Sequence, residues 1–389
     1  MHIGDEERRR RLVRRHRLGR TATGVDDAVE ALAVSHSSDP ITPFLAAWAR
    51  FPGFAIADLE RALWEDRSLW RMHTIRRTLF VVPTRDAPAF EAGAARDVAR
   101  RERDRLEGWV AAERGMGDAG AWLAGLGAAV VEALGDGEMS TRELGEAVPD
   151  LATEVTVGSG KWSQRVSVGS RILLVLATEG HLVRTRPAGS WRSSQYRWSR
   201  VEPWFGRPLE RLDEAEGRAL VAARYLAAYG PVTTTDVRWW AGWTLAATRR
   251  ALADVGAVAV ELDSGEPGWV LPGDTADTDP LPGPAVALLP PLDSTPMGWK
   301  QRAWYLGPHQ DHLFDTNGNA GPTVWAGGRI VGGWGQRRSG EVVHQLLETV
   351  PAGTATAVAD EAAALTAWLD GEVAVPRFPT PLAGRLALG

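Results

Sequence analysis

The chain contains no cysteine. That absence excludes disulfide staples, thiolate catalysis and cysteine-ligated metal together. No apolar run approaches the roughly 20 residues that a membrane-spanning helix needs. The basic N-terminal stretch also lacks the apolar segment of a secretory leader. A cytoplasmic protein without membrane attachment is expected.

What is present fits that class. With 389 residues, 44% hydrophobic and 24% charged, the composition is that of an ordinary globular protein. The length allows two to four domains with sizeable cores. The net charge of −5 argues weakly against a polyanionic partner, but the average hides a segregation. Arg8, Arg9, Arg10, Arg11, Arg14, Arg15, Arg17 and Arg20 crowd the start, whereas acidic residues gather in 255–280 and near the C-terminus. Such asymmetry leads us to expect a basic face on an acidic protein, with a merely solvated arginine-rich helix as the plain alternative.

The pivotal stretch is Ala31 to Asp39, where an apolar helical run expected to continue through Val34 ends in Ser35, His36, Ser37, Ser38 and Asp39. Asp39 precedes Pro40 and suits a cap for a helix over 41–50. Ala57 to Trp70 reads as a further helix, and Met72 to Val82 turns to a strand pattern. Arg85 to Gly108 reads as a charged helix and Trp122 to Leu134 as an apolar one. Ser140-Thr141-Arg142-Glu143 is a capping box. After the loop at Gly158-Ser159-Gly160-Lys161-Trp162, Ser167 to Glu179 is helical and His181 to Ser199 a basic hairpin. Glu214 to Tyr229, a box-like Thr233-Thr234-Thr235-Asp236, a helix over Leu245 to Val255 and a hairpin over 257–271 repeat the order. Beyond the linker at 272–284 come short strands, among them Val286–Leu289, Ala303–Leu306 and Arg329–Trp334, with a longer one near 341–349. A helix over Asp360 to Leu369 and a proline-rich tail follow. The expected architecture is α+β: three tandem winged-helix units and a small β-barrel, divided as 1–118, 119–206, 207–275 and 276–389.

Several quoted segments carry a family resemblance. They are Ile75-Arg76-Arg77-Thr78-Leu79-Phe80, Gly189-Ser190-Trp191 with Gln195-Tyr196-Arg197-Trp198, Leu288-Leu289-Pro290-Pro291-Leu292-Asp293 with Gly298-Trp299-Lys300, and Gly327-Gly328-Arg329-Ile330-Val331-Gly332. In order and spacing, from about residue 8 to 350, the chain resembles the AlkZ/YcaQ-type family of winged-helix DNA glycosylases. The resemblance implies a C-shaped clamp on duplex DNA, removal of alkylated purines including bulky adducts and crosslinks, and a Gln-x-Gln or Gln-x-Asp catalytic motif. Here that motif reads His36-Ser37-Ser38, followed by Asp39: a His-x-Ser variant.

An N7- or N3-alkylated purine is cationic and leaves as a neutral base without a general acid. What remains is to place one water under C1′ and to stabilise an oxocarbenium-like sugar. An imidazole of ordinary pKa suits His36 to the general-base role, and Ser38 would hold the same water. Asp39 would orient them or act as a helix cap. For holding DNA, the expected residues are Arg76, Arg77, Lys161, Arg165, Arg171, Arg192, Gln195 and Arg197, then Lys300, Arg337 and Arg338 in the last domain. Arg184, Arg186 and Arg302 are further basic candidates. Asp293 and Lys300 would serve equally as an ion pair. His309-Gln310-Asp311-His312 lacks a third metal ligand at a fitting spacing, so no metal and no cofactor are expected. Of the 18 tryptophans, Trp239, Trp240 and Trp243 are expected in the core and Trp162 and Trp191 on exposed loops. The expected partner is double-stranded DNA bearing alkylated purines, near the nucleoid, bound by a monomer. A non-catalytic DNA-binding regulator or lesion sensor is the second reading, and protein-interaction modules a third.

Overall fold

A computed structural model describes residues 1–389 apart from 159, 282 and 389, and apart from the side chain of Lys161. The expectation for Lys161, and the points Ser159 and Pro282 of the two expected loops, lie outside the described residues. Helices alternate with several small sheets, so the class is α+β. No helix among the described residues is long and apolar enough to cross a membrane.

The first sheet pairs Ser35–His36 with Leu79–Pro83 and that strand with Leu69–His73, all antiparallel. The helix expected through Trp70 stops at Trp64, which leaves Leu69 and Trp70 to start this hairpin. The charged helix is interrupted by a π-turn at Glu91–Ala95 before running from Arg96 to Arg114. Close packing explains the site: a Cβ on Gly93 would lie 2.5 Å from the Gly217 carbonyl of the Glu214–Tyr229 helix.

In residues 119–206 the Ala119–Leu134, Thr141–Ala147 and Val168–Thr178 helices pack on a sheet of Met139–Ser140, Tyr196–Arg200 and Leu182–Pro187. Ser140 and Glu143 form the expected capping box, at 3.2 Å and 2.6 Å. This segment has its own apolar core around Leu123, Val130, Ile172 and Trp198. In the third segment Thr233 and Asp236 cap each other, both at 3.1 Å. Its sheet is completed by the chain start, with His2–Ile3 lying parallel on Glu261–Leu262.

The C-terminal strands Val286–Leu289, Thr323–Ala326, Arg329–Gln336 and Val342–Leu346 form an open antiparallel sheet. Among the described residues no ladder joins its outer strands, so it is not the closed barrel expected. The Ala352–Leu369 helix covers the outer strands, and a chain that buries them in this way has no need to close the sheet. Ala303–Leu306, expected as a strand, is a short helix that sets Trp304 and Tyr305 against Trp299. The fully buried rings of Tyr225, Tyr229, Trp299, Tyr305 and Trp325 knit this region to the third segment.

The arginine-rich N-terminal helix, Asp5–Arg15, does not present a basic face. Arg11 bonds Glu7 and the carbonyl of Ala276, Arg15 bonds both oxygens of Asp274, and Arg14 reaches the carbonyls of Asp279 and Pro280. Arg17 pairs with Asp27 and Arg20 with Glu361. From the acidic run, Asp274 takes the charges of Arg11 and Arg15, and backbone carbonyls of 276–280 take N–H groups of Arg11 and Arg14.

Candidate active site

The polar cluster sits on a strand, not at a helix end. The preceding helix stops at Glu30, and Ala33 takes a positive φ of 57° to turn the apolar Leu32–Val34 into the core. Backbone satisfaction dictates the rest. Ser294 donates its hydroxyl to the Val34 carbonyl (2.8 Å) and accepts from the His36 amide (3.0 Å). The Ser38 amide then folds back and donates to His36 Nδ1 at 3.4 Å. An accepting Nδ1 assigns the proton of the neutral ring to Nε2. Phe80 meets the ring edge-on at 5.2 Å. Burial, reinforced by repulsion from Arg76 and opposed by Asp293, lowers the His36 pKa to about 3. The imidazole is therefore neutral at any working pH. That corrects the expectation of a general base tuned near neutrality.

Asp39 is buried, and backbone donors occupy its carboxylate: Ile41 N–H at 3.3 Å on one oxygen, Arg377 N–H at 2.8 Å on the other. Asp39 does not cap the helix as expected: the Thr42–Trp48 helix begins after Ile41 without a side-chain cap, and Asp39 holds the turn that precedes it.

The strand pleat decides what each residue faces. His36, Thr78 and Phe80 look into a cavity of about 320 Å³, shared with Arg76, Trp239, Ser294, Lys300, Arg302, Asn317 and Asn319. Ser37, Ser38 and Leu79 look into a different cavity of about 770 Å³ on the opposite face. His36 and Ser38 therefore do not line one water site. A residue pair two apart would share a face only on a continuing strand, and this strand ends at His36.

Arg76 and Arg77 occupy the tip of the Leu69–Pro83 hairpin with φ of 49° and 65°. The Thr78 amide bonds the Ile75 carbonyl at 2.9 Å, giving the geometry of a type I′ turn. Asn-Gly is the usual choice there, so two arginines are a strained one. Arg76 lies 4.3 Å over the Trp239 ring, and Arg302 lies 5.6 Å from it. Trp239 was expected in the core with Trp240 and Trp243, but it stands half-exposed at the cavity wall. Trp191, expected on an exposed loop, is buried against Phe44 and Trp368.

The residues expected to hold DNA divide by their partners. Arg76 and Lys300 join His36, while Gln195 and Arg197 join Ser38 across the sheet, Arg197 in an ion pair with Glu143 at 3.1 Å. Arg77 is paired with Glu102, Arg165 with Glu113 and Glu154, Arg192 with Glu372, and Arg337 with Glu341. Arg171 is half-buried near Trp109, while Arg338 is exposed. Lys300 has no ion pair with Asp293, whose carboxylate is bidentate with Arg50. His309 donates its Nε2–H to the Glu348 carboxylate at 3.1 Å. Sequence reasoning missed Ser294, Asn317 and Asn319; the only signal was the turn-forming Asn-Gly-Asn.

Neutral burial of histidines has a stability consequence. His16, bonded to Thr295 and the Ala228 carbonyl, and His73 are also held well below their ordinary pKa by burial, with Arg50 and Arg184 respectively adding repulsion. The unfolded chain binds these protons near pH 6.5 and the folded chain does not. Stability is therefore full above about pH 6.5 and falls as pH drops below it, by roughly 4 kcal/mol per pH unit for three such groups. Urea unfolding at pH 7 and pH 5.5 reads this; equal midpoints would refute it.

The comparisons with known proteins agree with this architecture. No curated protein matches the sequence. Among solved structures, Streptomyces sahachiroi DNA glycosylase AlkZ superposes with a TM-score of 0.74 at 20% identity, over 98% of this chain and 99% of that one. A model described as DNA glycosylase AlkZ-like matches residues 29–368. The chain thus belongs to the AlkZ-like DNA glycosylase family.

Proposed function

We propose that the protein is a monofunctional DNA glycosylase that hydrolyses the N-glycosidic bond of alkylated purines in duplex DNA. One observation carries this reading: a permanently neutral His36, with no described partner on Nε2, opens on a cavity whose charged walls are Arg76, Lys300 and Arg302, and which no carboxylate lines among the described residues. Cationic walls and an aromatic ring suit a phosphate backbone and a purine. His36 donates Nε2–H to a water and holds it under C1′. Ser38 acts through its amide, which fixes the ring tautomer, and Asp39 by anchoring the turn. The cationic adduct takes the bond electrons and departs neutral, and the attacking water loses its proton to solvent.

The helix-helix-hairpin order in 119–206 and 207–275 fits winged helices, and we assign these units, with 1–118 and 276–389, to a single-chain clamp. The strand-holding residues are Arg76, Arg77, Lys161, Arg165, Arg171, Arg192, Gln195, Arg197, Lys300, Arg337 and Arg338, with those already ion-paired contributing least. The test is single-turnover excision from a duplex carrying N7-methylguanine, alongside DNA binding. Release of the base supports the reading. Tight binding without release, on this or a bulkier adduct, moves the assignment to a lesion sensor.

The hairpin tip offers a separate check. Replacing Arg76-Arg77 by Asn-Gly relieves two left-handed non-glycine residues, and the stability gain is about 1–2 kcal/mol. The same change lowers the slope of log affinity against log salt by about 0.9 for the lost Arg76 contact. A variant that is more stable and binds DNA as steeply as the parent would show the strain serves something else.

A further inference from the structure

The cavity on the other face of the Ser35–His36 sheet is not explained by the reaction at His36. Its walls come from the Ser37–Ser38 turn, the 119–206 segment and the C-terminal tail, and among the described residues no carboxylate lines it. Donors in it lack partners. Ser37 is 1% exposed, faces this space, and its hydroxyl bonds nothing among the described residues. Arg184 lines the cavity, has no ion pair among the described residues, and lies 4.9 Å over Trp198. Behind it Arg71, 3% exposed, gives one N–H to the Tyr196 hydroxyl, while Nε and Nη2 have no hydrogen-bond partner among the described residues. Buried guanidinium groups are normally paired, because desolvating an uncompensated charge is costly. Burial, with Arg71 adding repulsion, lowers Arg184 to about 10 despite the pull of Tyr196. An anion in the cavity would partner Arg184 and the Ser37 hydroxyl directly and offset the charge of Arg71 behind them.

The tail completes the wall. Arg377 gives its backbone N–H to Asp39 at 2.8 Å and a guanidinium N–H to the Ser38 carbonyl at 3.1 Å, so its charge is fixed at the mouth. We propose that this cavity grips a backbone phosphodiester of the bound DNA, with Arg184 and Arg377 as its charged contacts and the Ser37 and Ser38 hydroxyls as donors. The inference rests on the DNA reading above and sharpens it. The Ser35–His36 sheet edge becomes a divider, with base release on the His36 face and strand grip on the Ser37 face. Ser38 then touches the strand and not the attacking water.

The test measures anisotropy of a labelled undamaged duplex between about 50 and 200 mM salt with the parent, Arg184→Ala and Arg377→Ala. Each variant is expected to lose about 0.9 from the log–log salt slope. Arg377 is exposed, so its replacement leaves the packing intact and guards against a misfolded Arg184 variant. Unchanged slopes in both variants overturn the inference. In a second arm, melting temperature is compared in inorganic phosphate and in chloride at equal ionic strength. Phosphate stabilisation that both variants lose, with the DNA slope intact, assigns the cavity to a free anion and overturns the DNA assignment. An active parent with unaltered variant slopes sinks this inference alone. A parent that binds but never releases base sinks the glycosylase reading while the slopes still decide this one.

Discussion

Replacing Arg50 with Ala is expected to cost about 3–5 kcal/mol of stability, the range for breaking a buried ion pair by removing one partner. Arg50 and Asp293 are both fully buried and meet at 2.7 and 2.9 Å in a bidentate fork. Arg50 also donates to the Ala46 carbonyl at 2.9 Å and to the Thr295 hydroxyl at 2.8 Å. Removing it strands the Asp293 carboxylate, whose remaining bond is from the Thr295 amide at 2.8 Å. The pair also ties the Thr42–Trp48 helix end to residues 293–295, and Ser294 between them holds the His36 amide. Urea unfolding followed by tryptophan fluorescence reads the loss. Removing both charges with Arg50→Met and Asp293→Leu is expected to recover most of it, since two apolar groups of similar volume leave no orphaned charge. A single replacement that costs under about 1 kcal/mol would mean that water reaches the site.

What was legible in the sequence follows the range of the interaction involved. The capping boxes at Ser140–Glu143 and Thr233–Asp236 close within three residues, so their letters suffice. The pairing of Arg15 with Asp274, or of Ile3 with Leu262, spans most of the chain and leaves no local pattern. A basic run and an acidic run looked like a surface feature when they were a contact. The site shows the same divide. His36 could be singled out as the one histidine in a short polar cluster. Its protonation could not, because the shift comes from burial and from Arg76, forty residues away in the chain. Nor could the split between His36 and Ser38, which depends on a strand ending after two residues.

The rate of base excision per folded molecule is expected to be flat from pH 5 to 8, with His36→Ala slowing single-turnover release by roughly 10²-fold or more and His36→Gln retaining much of the rate. The sign follows from the lowered pKa. A histidine with a pKa of about 3 is already neutral throughout that window, so raising the pH uncovers no further base. With an ordinary pKa near 6.5, a general base would instead lose about tenfold in rate per unit below it. Neutrality also removes the apparent conflict with the Gln-x-Gln motif that the resemblance brings. On the proposed reaction, an imidazole held neutral near pH 7 would act, like an amide, as an N–H donor beside a cationic leaving group and would add no repulsion to it. The Ser38 amide at 3.4 Å from Nδ1 favours the donor assignment, with the proton on Nε2. Duplex binding, measured in parallel, should change little in His36→Gln if the ring only holds water. A rate that climbs through pH 6.5 in the parent, with His36→Gln as slow as His36→Ala, would restore the general base and discard the donor.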